Sequence, residues 1–337
     1  MKNKTAYFIR KNESFELREE ELGSLPSPYH VLVKNKWVGI CGSDINALEI
    51  DFLDEIVLGH EWVGEIIEVG SQVEGFSVGD YVTSGNKIQC GYCLPCREDK
   101  GECENLMWLT ANHGMFKEYA YLPFGPLIKL PGVGTQSTTL FEILAVAENV
   151  WLKESESFKR CSGSILIMGA GLLGLSVALV LKRENIDFEM IEMIPSRIQR
   201  AHKLGLNCRH LAEALMDPKS RDAYQCIVDA TGDHLGSAGG WKNIEHFGSP
   251  SFLAIILAKY IHEIPFKSFR FFSKQANLRW IQGCTNDSLI VAIDSWKESI
   301  EELGKVLITH SYTLDEIEEA FNTAKDRKVS GRVIVKV

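Results

Sequence analysis

Hydrophobic positions change their spacing about halfway along this chain of 337 residues. The first third contains short apolar runs separated by Gly and Pro, which is typical of short strands and loops. From about residue 164, apolar runs alternate with helical patterns, which predicts βαβ units and a parallel sheet. Leu172–Glu184 is apolar almost all round and predicts a buried helix. The predicted strands of this region are Ile165–Met168, Phe188–Met193, Cys226–Ala230, Phe252–Ala258 and Leu278–Gly283.

Two capping signals predict where further helices begin. Ser196 with Gln199, and Thr313 with Glu316, have the spacing of a capping box, which predicts helix starts at Ser196 and Thr313. Apolar residues at helical spacing over 290–303 predict one helical stretch before the last of these starts.

Length, composition and charge narrow the class of protein. A chain of this length predicts two domains, and 45% hydrophobic with 24% charged residues is typical of a globular protein. The net charge of −9 argues against a nucleic-acid partner, because duplex affinity depends on neutralising phosphates. The N-terminus lacks the apolar region of a signal peptide. The longest apolar run, Phe252–Ala258, is far shorter than the roughly 18 residues that span a bilayer. We therefore expect a cytoplasmic protein with no membrane partner.

The nine cysteines are unevenly distributed. Their odd number without a secretion signal argues against a disulfide framework. Four of them have the spacing of metal ligands, with intervals of two, two and six residues: Cys90, Cys93, Cys96 and Cys103. Four thiolates favour a closed, tetrahedral, structural zinc site, with an iron–sulfur cluster as the alternative.

A glycine-rich loop follows the strand predicted at Ile165–Met168. Gly169, Gly171 and Gly174 form a Gly-x-Gly-x-x-Gly motif between this strand and a helix. The first glycine permits the tight turn, the second lets the backbone approach a pyrophosphate, and the third allows close helix–strand packing. A dinucleotide is therefore expected at the N-terminus of this helix.

An acidic residue ends the next predicted strand, as in NAD-binding folds. Glu192 can accept hydrogen bonds from ribose hydroxyls and repels a 2′-phosphate, so NAD is favoured over NADP; Arg197 nearby could accommodate that phosphate. The predicted cofactor contacts are Gly169, Gly171, Leu172, Leu173, Gly174, Glu192, Arg197 and Thr231.

Several motifs, in order along the whole chain, carry a family resemblance. The segment from Gly59-His-Glu-Trp-Val-Gly to Gly79-Asp-Tyr-Val resembles the zinc alcohol dehydrogenase motif of the medium-chain dehydrogenase/reductase family. Cys41-Gly-Ser-Asp precedes this motif and the cysteine loop follows it, as in the family. The resemblance implies a GroES-like β-rich catalytic domain (1–148 and 289–337) around an inserted Rossmann domain with a doubly wound parallel sheet (149–288).

The resemblance also implies a catalytic zinc in addition to the structural one. Cys41 and His60 match two zinc ligands of the family, and Glu142 matches the third, which is Glu in polyol dehydrogenases. Glu61 is a carboxylate that can enter the zinc sphere, and Asp44 is expected to orient a ligand.

Two positions depart from the family. The Cys96–Cys103 interval is one residue shorter than usual. Asn46 stands where many relatives have a histidine, so the proton path beyond Ser43, the expected first proton acceptor, is left open.

The expected function is that of an NAD(P)-dependent dehydrogenase acting on CH–OH groups. Its small-molecule substrate would be a secondary alcohol, or the matching ketone, of a polyol, sugar, cyclitol or hydroxy-amino acid. A metal-free quinone or enone reductase and a non-enzymatic NAD- and zinc-binding protein are the alternatives. The family implies a homodimer or homotetramer, in which the strand Phe252–Ala258 could pair across subunits.

Overall fold

The computed structural model describes residues 1–50, 53–98, 102–110, 113–232, 240–257, 268–328 and 331–337. The chain divides into two compact units. Unit 1 combines Met1–Ala145 with Cys284–Val337, and unit 2 is Val146–Gly283. The first segment of the predicted catalytic domain ends at residue 148, three residues beyond Ala145. The predicted Rossmann domain ends at residue 288, five residues beyond Gly283.

The two units differ in the arrangement of strands and helices. The strands are β1 (Lys2–Ile9), β2 (Ser14–Glu21), β3 (His30–Ile40), β4 (Glu55–Ile56), β5 (Glu61–Val69), β6 (Tyr81–Thr83), β7 (Lys87–Ile88), β8 (Met107–Trp108), β9 (Tyr119–Pro123), β10 (Ile128–Lys129), β11 (Ile165–Met168), β12 (Glu189–Glu192), β13 (Cys208–His210), β14 (Tyr224–Asp229), β15 (Gly248–Leu257), β16 (Asn277–Ile281), β17 (Ile308–Thr313) and β18 (Arg332–Lys336). The α-helices are α1 (Gly42–Ala47), α2 (Leu94–Glu98), α3 (Phe141–Arg160), α4 (Leu172–Arg183), α5 (Pro195–Lys203), α6 (Leu211–Met216), α7 (Gly240–Phe247), α8 (Ser268–Ser273), α9 (Asn286–Trp296), α10 (Ile300–Leu307) and α11 (Ile317–Lys325).

Unit 1 is mainly antiparallel β-structure. Its largest sheet has the order β10-β6-β5-β3-β18-β17, and β9 also pairs with β3. A second sheet has the order β2-β1-β4, and β7 pairs with β8. Trp62, Phe116 and Phe321, each at most 1% exposed, belong to the core of this unit. The core supports the strands and turns that carry the candidate zinc ligands.

Unit 2 contains a parallel sheet of six strands in the order β13-β12-β11-β14-β15-β16. In chain order this is 3-2-1-4-5-6, the arrangement of a doubly wound Rossmann sheet. All four residues of β11 are at most 1% exposed, as expected for a central strand of a parallel sheet. The two units together confirm the predicted fold class.

Both predicted helix starts are confirmed, but only one of the two predicted capping boxes forms. Thr313 and Glu316 form the predicted capping box, and Glu316 Oε2 accepts the N–H of Thr313 at 2.8 Å. The helix expected near Ser196 begins at Pro195 with Ile194 as its N-cap, so the capping box of Ser196 and Gln199 does not form. Proline is favoured at the first helical position because its φ is already helical and its missing N–H is not needed there.

Two further predictions are corrected. The stretch over 290–303 falls into two helices, α9 and α10, and Ser299 is the N-cap of the second. The strand proposed for pairing across subunits, β15, is hydrogen-bonded to β14 on one side and to β16 on the other. Both of its edges are therefore paired within the sheet. Ala258, the last residue of the predicted strand, lies outside the described residues. None of the helices in the described ranges has the length and apolarity to cross a membrane.

Candidate functional site

Three side chains with metal-donor atoms come together in unit 1. One donor atom each of Cys41, His60 and Glu61 lies within 4.8 Å of the other two. Cys41 is the N-cap of α1, and Glu61 is the first residue of β5, so His60 directly precedes that strand. Thiolate, imidazole and carboxylate are donor types of catalytic zinc sites, in which three protein ligands leave a position for substrate. We call these three side chains the donor cluster.

Asp44 fixes two members of the donor cluster. Its carboxylate is fully buried, and Oδ2 accepts the N–H of Cys41 at 2.8 Å. Oδ1 lies 3.2 Å from Nδ1 of His60 and accepts the N–H of Gly59 at 3.3 Å. A hydrogen bond at Nδ1 leaves Nε2 to bind a metal, which is the orienting role predicted for Asp44. Burial alone would lower the pKa of His60, but the negative charges of Asp44 and Cys41 raise it well above its usual value.

Glu61 has a buried counter-ion and a free oxygen. Its Oε2 lies 2.6 Å from NH1 of Arg332, and the two side chains are 0% and 1% exposed. The same NH1 donates to the carbonyl oxygen of Ile40 at 2.7 Å. Oε1 of Glu61 has no hydrogen-bond partner among the described residues. A buried carboxylate oxygen without a donor is unfavourable, and a bound cation would satisfy it. The donor cluster therefore fits a zinc ion.

Glu142 lies near the donor cluster, close enough for the charges of His60 and Glu61 to act on its pKa. It is the second residue of α3 and is 6% exposed. Its Oε1 accepts a hydrogen bond from Sγ of Cys284 at 3.4 Å. Burial raises the pKa of Glu142 to about 7, and burial together with the Glu142 carboxylate raises the pKa of Cys284 well above its usual value. Among the described residues, the group with donor atoms within 4.8 Å of one another contains Glu61 and not Glu142.

The four clustered cysteines meet in a second place in unit 1. Sulfur atoms of Cys90, Cys93, Cys96 and Cys103 all lie within 4.8 Å of one another, despite the short last interval. The Sγ atoms of Cys93 and Cys103 are 4.0 Å apart. A tetrahedral zinc with bonds of about 2.3 Å to sulfur needs sulfur atoms about 3.8 Å apart. Sγ of Cys90 accepts the N–H of Cys93 at 3.3 Å, a contact that favours thiolate. These residues fit a zinc ion bound only by sulfur.

The glycine loop of unit 2 has the close approaches that its motif requires. Gly169 has a φ of +97°, a conformation that side chains disfavour. A Cβ on Gly174 would lie 2.0 Å from the carbonyl oxygen of Gly169, so no side chain fits there. Gly171 is the N-cap of α4, so Leu172 and Leu173 supply N–H groups in its first turn. A cradle of backbone N–H groups at a helix N-terminus fits a pyrophosphate.

Glu192 ends β12 beside this loop and binds backbone groups. Its Oε2 accepts the N–H of Ala170 at 2.8 Å, and its Oε1 accepts the N–H of Met193 at 2.6 Å. NH1 of Arg197 lies 3.7 Å from Oε2. Thr231 follows β14, and its Oγ1 donates to Asp229 at 2.7 Å. The predicted cofactor contacts that flank the glycine loop therefore come from the ends of β12 and β14 and from α5.

Sequence reasoning did not single out Arg332 or Cys284 as site residues. Arg332 directly precedes the apolar run Val333–Val335. Arginine is rarely buried unless it is paired, so a cation beside this run is the signal that could have indicated a buried ion pair. Cys284 stands between Gly283, which has a φ of +61°, and the N-cap Thr285 of α9. Both residues are remote from the donor cluster in the sequence, so no local pattern connects them to it.

Comparisons with known proteins agree with this architecture. The family described as "Alcohol dehydrogenase GroES-like domain" matches residues 27–132. L-threonine 3-dehydrogenase of Aliivibrio fischeri (strain MJ11) is 27% identical over an alignment 358 positions long, which covers 99% of each chain. The protein of the same name from Alteromonas mediterranea is 27% identical over 327 residues, covering 90% of this chain and 91% of the relative.

Solved structures show the same fold at lower identity. A protein described as a short chain alcohol dehydrogenase (rspB) from Escherichia coli CFT073, solved with NADH, superposes with a TM-score of 0.81 at 24% identity, covering 100% of this chain and 99% of the other. The 2R,3R-butanediol dehydrogenase of Bacillus subtilis gives a TM-score of 0.79 at 22% identity, covering 99% of both chains. Residues 27–132 thus match the alcohol dehydrogenase GroES-like domain, and over nearly its whole length the chain is similar to L-threonine 3-dehydrogenases and shares the fold of alcohol and polyol dehydrogenases.

Proposed function

We propose that the protein is a zinc-dependent oxidoreductase that transfers a hydride between the secondary alcohol of a small polar molecule and NAD. The observation that carries this proposal is the donor cluster, in which Cys41, His60 and Glu61 offer three different donor types within 4.8 Å. The four-cysteine site would hold a second, structural zinc, giving two zinc ions per chain. The metal-free reductase alternative would leave the unpaired Oε1 of Glu61 unexplained.

The donor cluster would hold the catalytic zinc, and Glu142, the third ligand that the family resemblance implies, lies beside it without belonging to the group of atoms within 4.8 Å of one another. When bound, such a zinc acts as a Lewis acid that lowers the pKa of a substrate hydroxyl. Asp44 keeps the imidazole of His60 in one orientation through Nδ1. Arg332 offsets the negative charge of Glu61, so the two anionic groups of the cluster, the Cys41 thiolate and the Glu61 carboxylate, are not both uncompensated.

Ser43 is the side chain that we propose as first acceptor of the substrate proton. It lies in the first turn of α1, and its Oγ is 3.5 Å from Nε2 of His60. A hydroxyl there can accept a hydrogen bond from a substrate O–H and donate its own proton onward. Asn46, one turn further along α1, has an amide that does not titrate, so the onward step depends on water or on the cofactor ribose.

We propose NAD as the physiological cofactor, bound through the glycine loop and the residues that flank it. It supplies the hydride acceptor when bound. Glu192 presents a carboxylate at the end of β12, and this negative charge disfavours the 2′-phosphate of NADP. Arg197 lies 3.7 Å from that carboxylate and offsets part of its charge, so we expect a measurable and weaker use of NADP.

The substrate class rests on Glu142 and on the relatives. A glutamate at this position resembles the polyol branch of the family. Relatives named L-threonine 3-dehydrogenase match nearly the whole chain, which supports a hydroxy-amino acid as one option. We therefore propose a polyol, sugar, cyclitol or hydroxy-amino acid as substrate.

We propose a homodimer or homotetramer in the cytoplasm. With β15 inside the sheet, the outer strand is β16, whose Trp280 is 55% exposed. An outer strand with an exposed aromatic side chain favours pairing with a second copy. All nine cysteines are free thiols, which fits a reducing compartment.

The test is the zinc content per chain of the wild-type protein and of Cys41→Ala, together with a screen of polyols, sugars and hydroxy-amino acids with NAD and with NADP. We expect about two zinc ions that fall to about one, and turnover that the variant loses. One zinc ion that Cys41→Ala leaves in place would contradict the zinc-dependent mechanism. Turnover of a quinone or enone without metal would favour the reductase alternative.

A further inference from the structure

The carboxylates of Glu61 and Glu142 could each serve as the third protein ligand, and their surroundings in the structure differ. Glu61 belongs to the donor cluster, and its Oε1 has no hydrogen-bond partner among the described residues. Glu142 lies outside the cluster, and its Oε1 is held by the thiol of Cys284 at 3.4 Å. One carboxylate is thus free to bind a metal while the other has a protein partner.

Cys284 is held where it can act on Glu142. The sulfur is so close to Gly85 that a Cβ on this glycine would lie 3.2 Å away, so the thiol packs between the loop after β6 and the start of α3. On its other side the chain enters α9, whose N-cap Thr285 is fixed by a capping box with Ser288. Both neighbours restrict where the thiol can point.

Glu142 has little freedom to leave this partner. It is 6% exposed, and among the described residues Cys284 is the one whose side chain donates a hydrogen bond to its carboxylate. A buried carboxylate that loses its donor must find another partner or pay for desolvation. The charges of His60 and Glu61 act on Glu142, so a metal bound by the donor cluster would be a partner near this carboxylate.

We propose that Cys284 is a positioning residue that holds Glu142 beside the donor cluster and so leaves Glu61 as the third protein ligand. The inference rests on the proposed catalytic zinc. It predicts that removal of the thiol lets Glu142 bind the metal directly, whereas a hydroxyl at position 284 keeps Glu142 in place.

The experiment measures the affinity of the catalytic zinc by competition with a chromophoric chelator, on the full chain. The catalytic zinc is defined as the equivalent that Cys41→Ala removes. The wild type, Glu142→Gln, Cys284→Ala and the double variant Cys284→Ala/Glu142→Gln form a double-mutant cycle, and Cys284→Ser is measured beside it. Cys161→Ala, which removes a buried cysteine of unit 2, is the matched control and should bind zinc as the wild type does.

With Cys284 present, we expect Glu142→Gln to weaken zinc binding by less than about threefold, because Glu142 is not a ligand. In the Cys284→Ala background the same change should weaken binding by about tenfold or more, the size of effect seen for groups that support a metal site. Cys284→Ser should behave as the wild type, which a purely structural role of the sulfur would not produce.

Two results would overturn the inference. The first is a loss of tenfold or more on Glu142→Gln with Cys284 in place, which would make Glu142 a direct ligand already. The second is an equal effect of Glu142→Gln in both backgrounds, which would show no coupling. Failure of the proposed function is distinguishable, since the wild type would then lack a zinc equivalent that depends on Cys41.

Discussion

Replacement of Asp44 by asparagine should weaken the catalytic zinc site with little change elsewhere. The carboxylate of Asp44 accepts hydrogen bonds at both oxygens, from the N–H of Cys41 at 2.8 Å and from the N–H of Gly59 at 3.3 Å, and faces Nδ1 of His60 at 3.2 Å. An amide has one acceptor and one donor. In either orientation of the amide, its NH2 group faces the N–H of Cys41 or of Gly59, so the hydrogen bond on that side is lost.

The magnitude follows from the type of bond. A hydrogen bond to a charged acceptor contributes about 1.5–3 kcal/mol, and loss of a group that orients a metal ligand commonly reduces metal affinity by about 10–100-fold. We therefore expect Asp44→Asn to weaken the catalytic zinc by about 10–100-fold. The structural zinc should stay, because its four sulfur ligands do not contact Asp44.

The assay is zinc competition with a chelator, with the number of equivalents retained at each chelator concentration. Asp80→Asn is the matched control, because Asp80 also accepts a loop N–H, from Ser77 at 2.7 Å, and pairs with Lys129 on the surface. A catalytic-zinc affinity of Asp44→Asn within about twofold of the wild type would refute the reasoning. Equal loss of both zinc equivalents would also refute it, since it would indicate general unfolding.

Two further predictions concern the glycine loop and the buried ion pair. Gly174→Ala places a Cβ 2.0 Å from a carbonyl oxygen of the loop; we expect loss of NADH binding in a fluorescence titration with zinc content unchanged, and wild-type affinity would contradict this. Arg332→Met leaves the fully buried Glu61 without its counter-ion and should lower the free energy of unfolding in urea by about 3–5 kcal/mol. Arg18→Met, which breaks surface ion pairs with Glu16 and Glu55, should cost about 1 kcal/mol, and equal effects of the two variants would count against the reasoning.

Local patterns predicted the elements of unit 2 well because each strand and helix carries its own signal. β11 matches the predicted Ile165–Met168, and α4 ends one residue before the predicted Glu184. The helix near Ser196 begins at Pro195 without the predicted capping box because two local signals compete there, and the proline occupies the first helical position.

The candidate site was only partly predictable. Cys41 and His60 were found because they stand in motifs that are recognisable in the sequence. Arg332 and Cys284 reach the site through sheet pairing and helix placement far along the chain, and no spacing rule connects them to Glu61 or Glu142. The place of β15 inside its sheet was likewise decided by pairing on both of its edges, which a strand's own sequence does not reveal.

The position of β18 has a consequence for biosynthesis. This strand is formed by the last residues of the chain, yet it lies between β3 and β17 and pairs with residues near the start, such as Val335 with Val38. The largest sheet of unit 1 therefore stays incomplete until residues 332–336 have emerged from the ribosome, whereas the strands of unit 2 have all emerged earlier. Until then Glu61 lacks Arg332, so we expect the nascent chain to acquire its catalytic metal only after Arg332 has emerged and paired with Glu61.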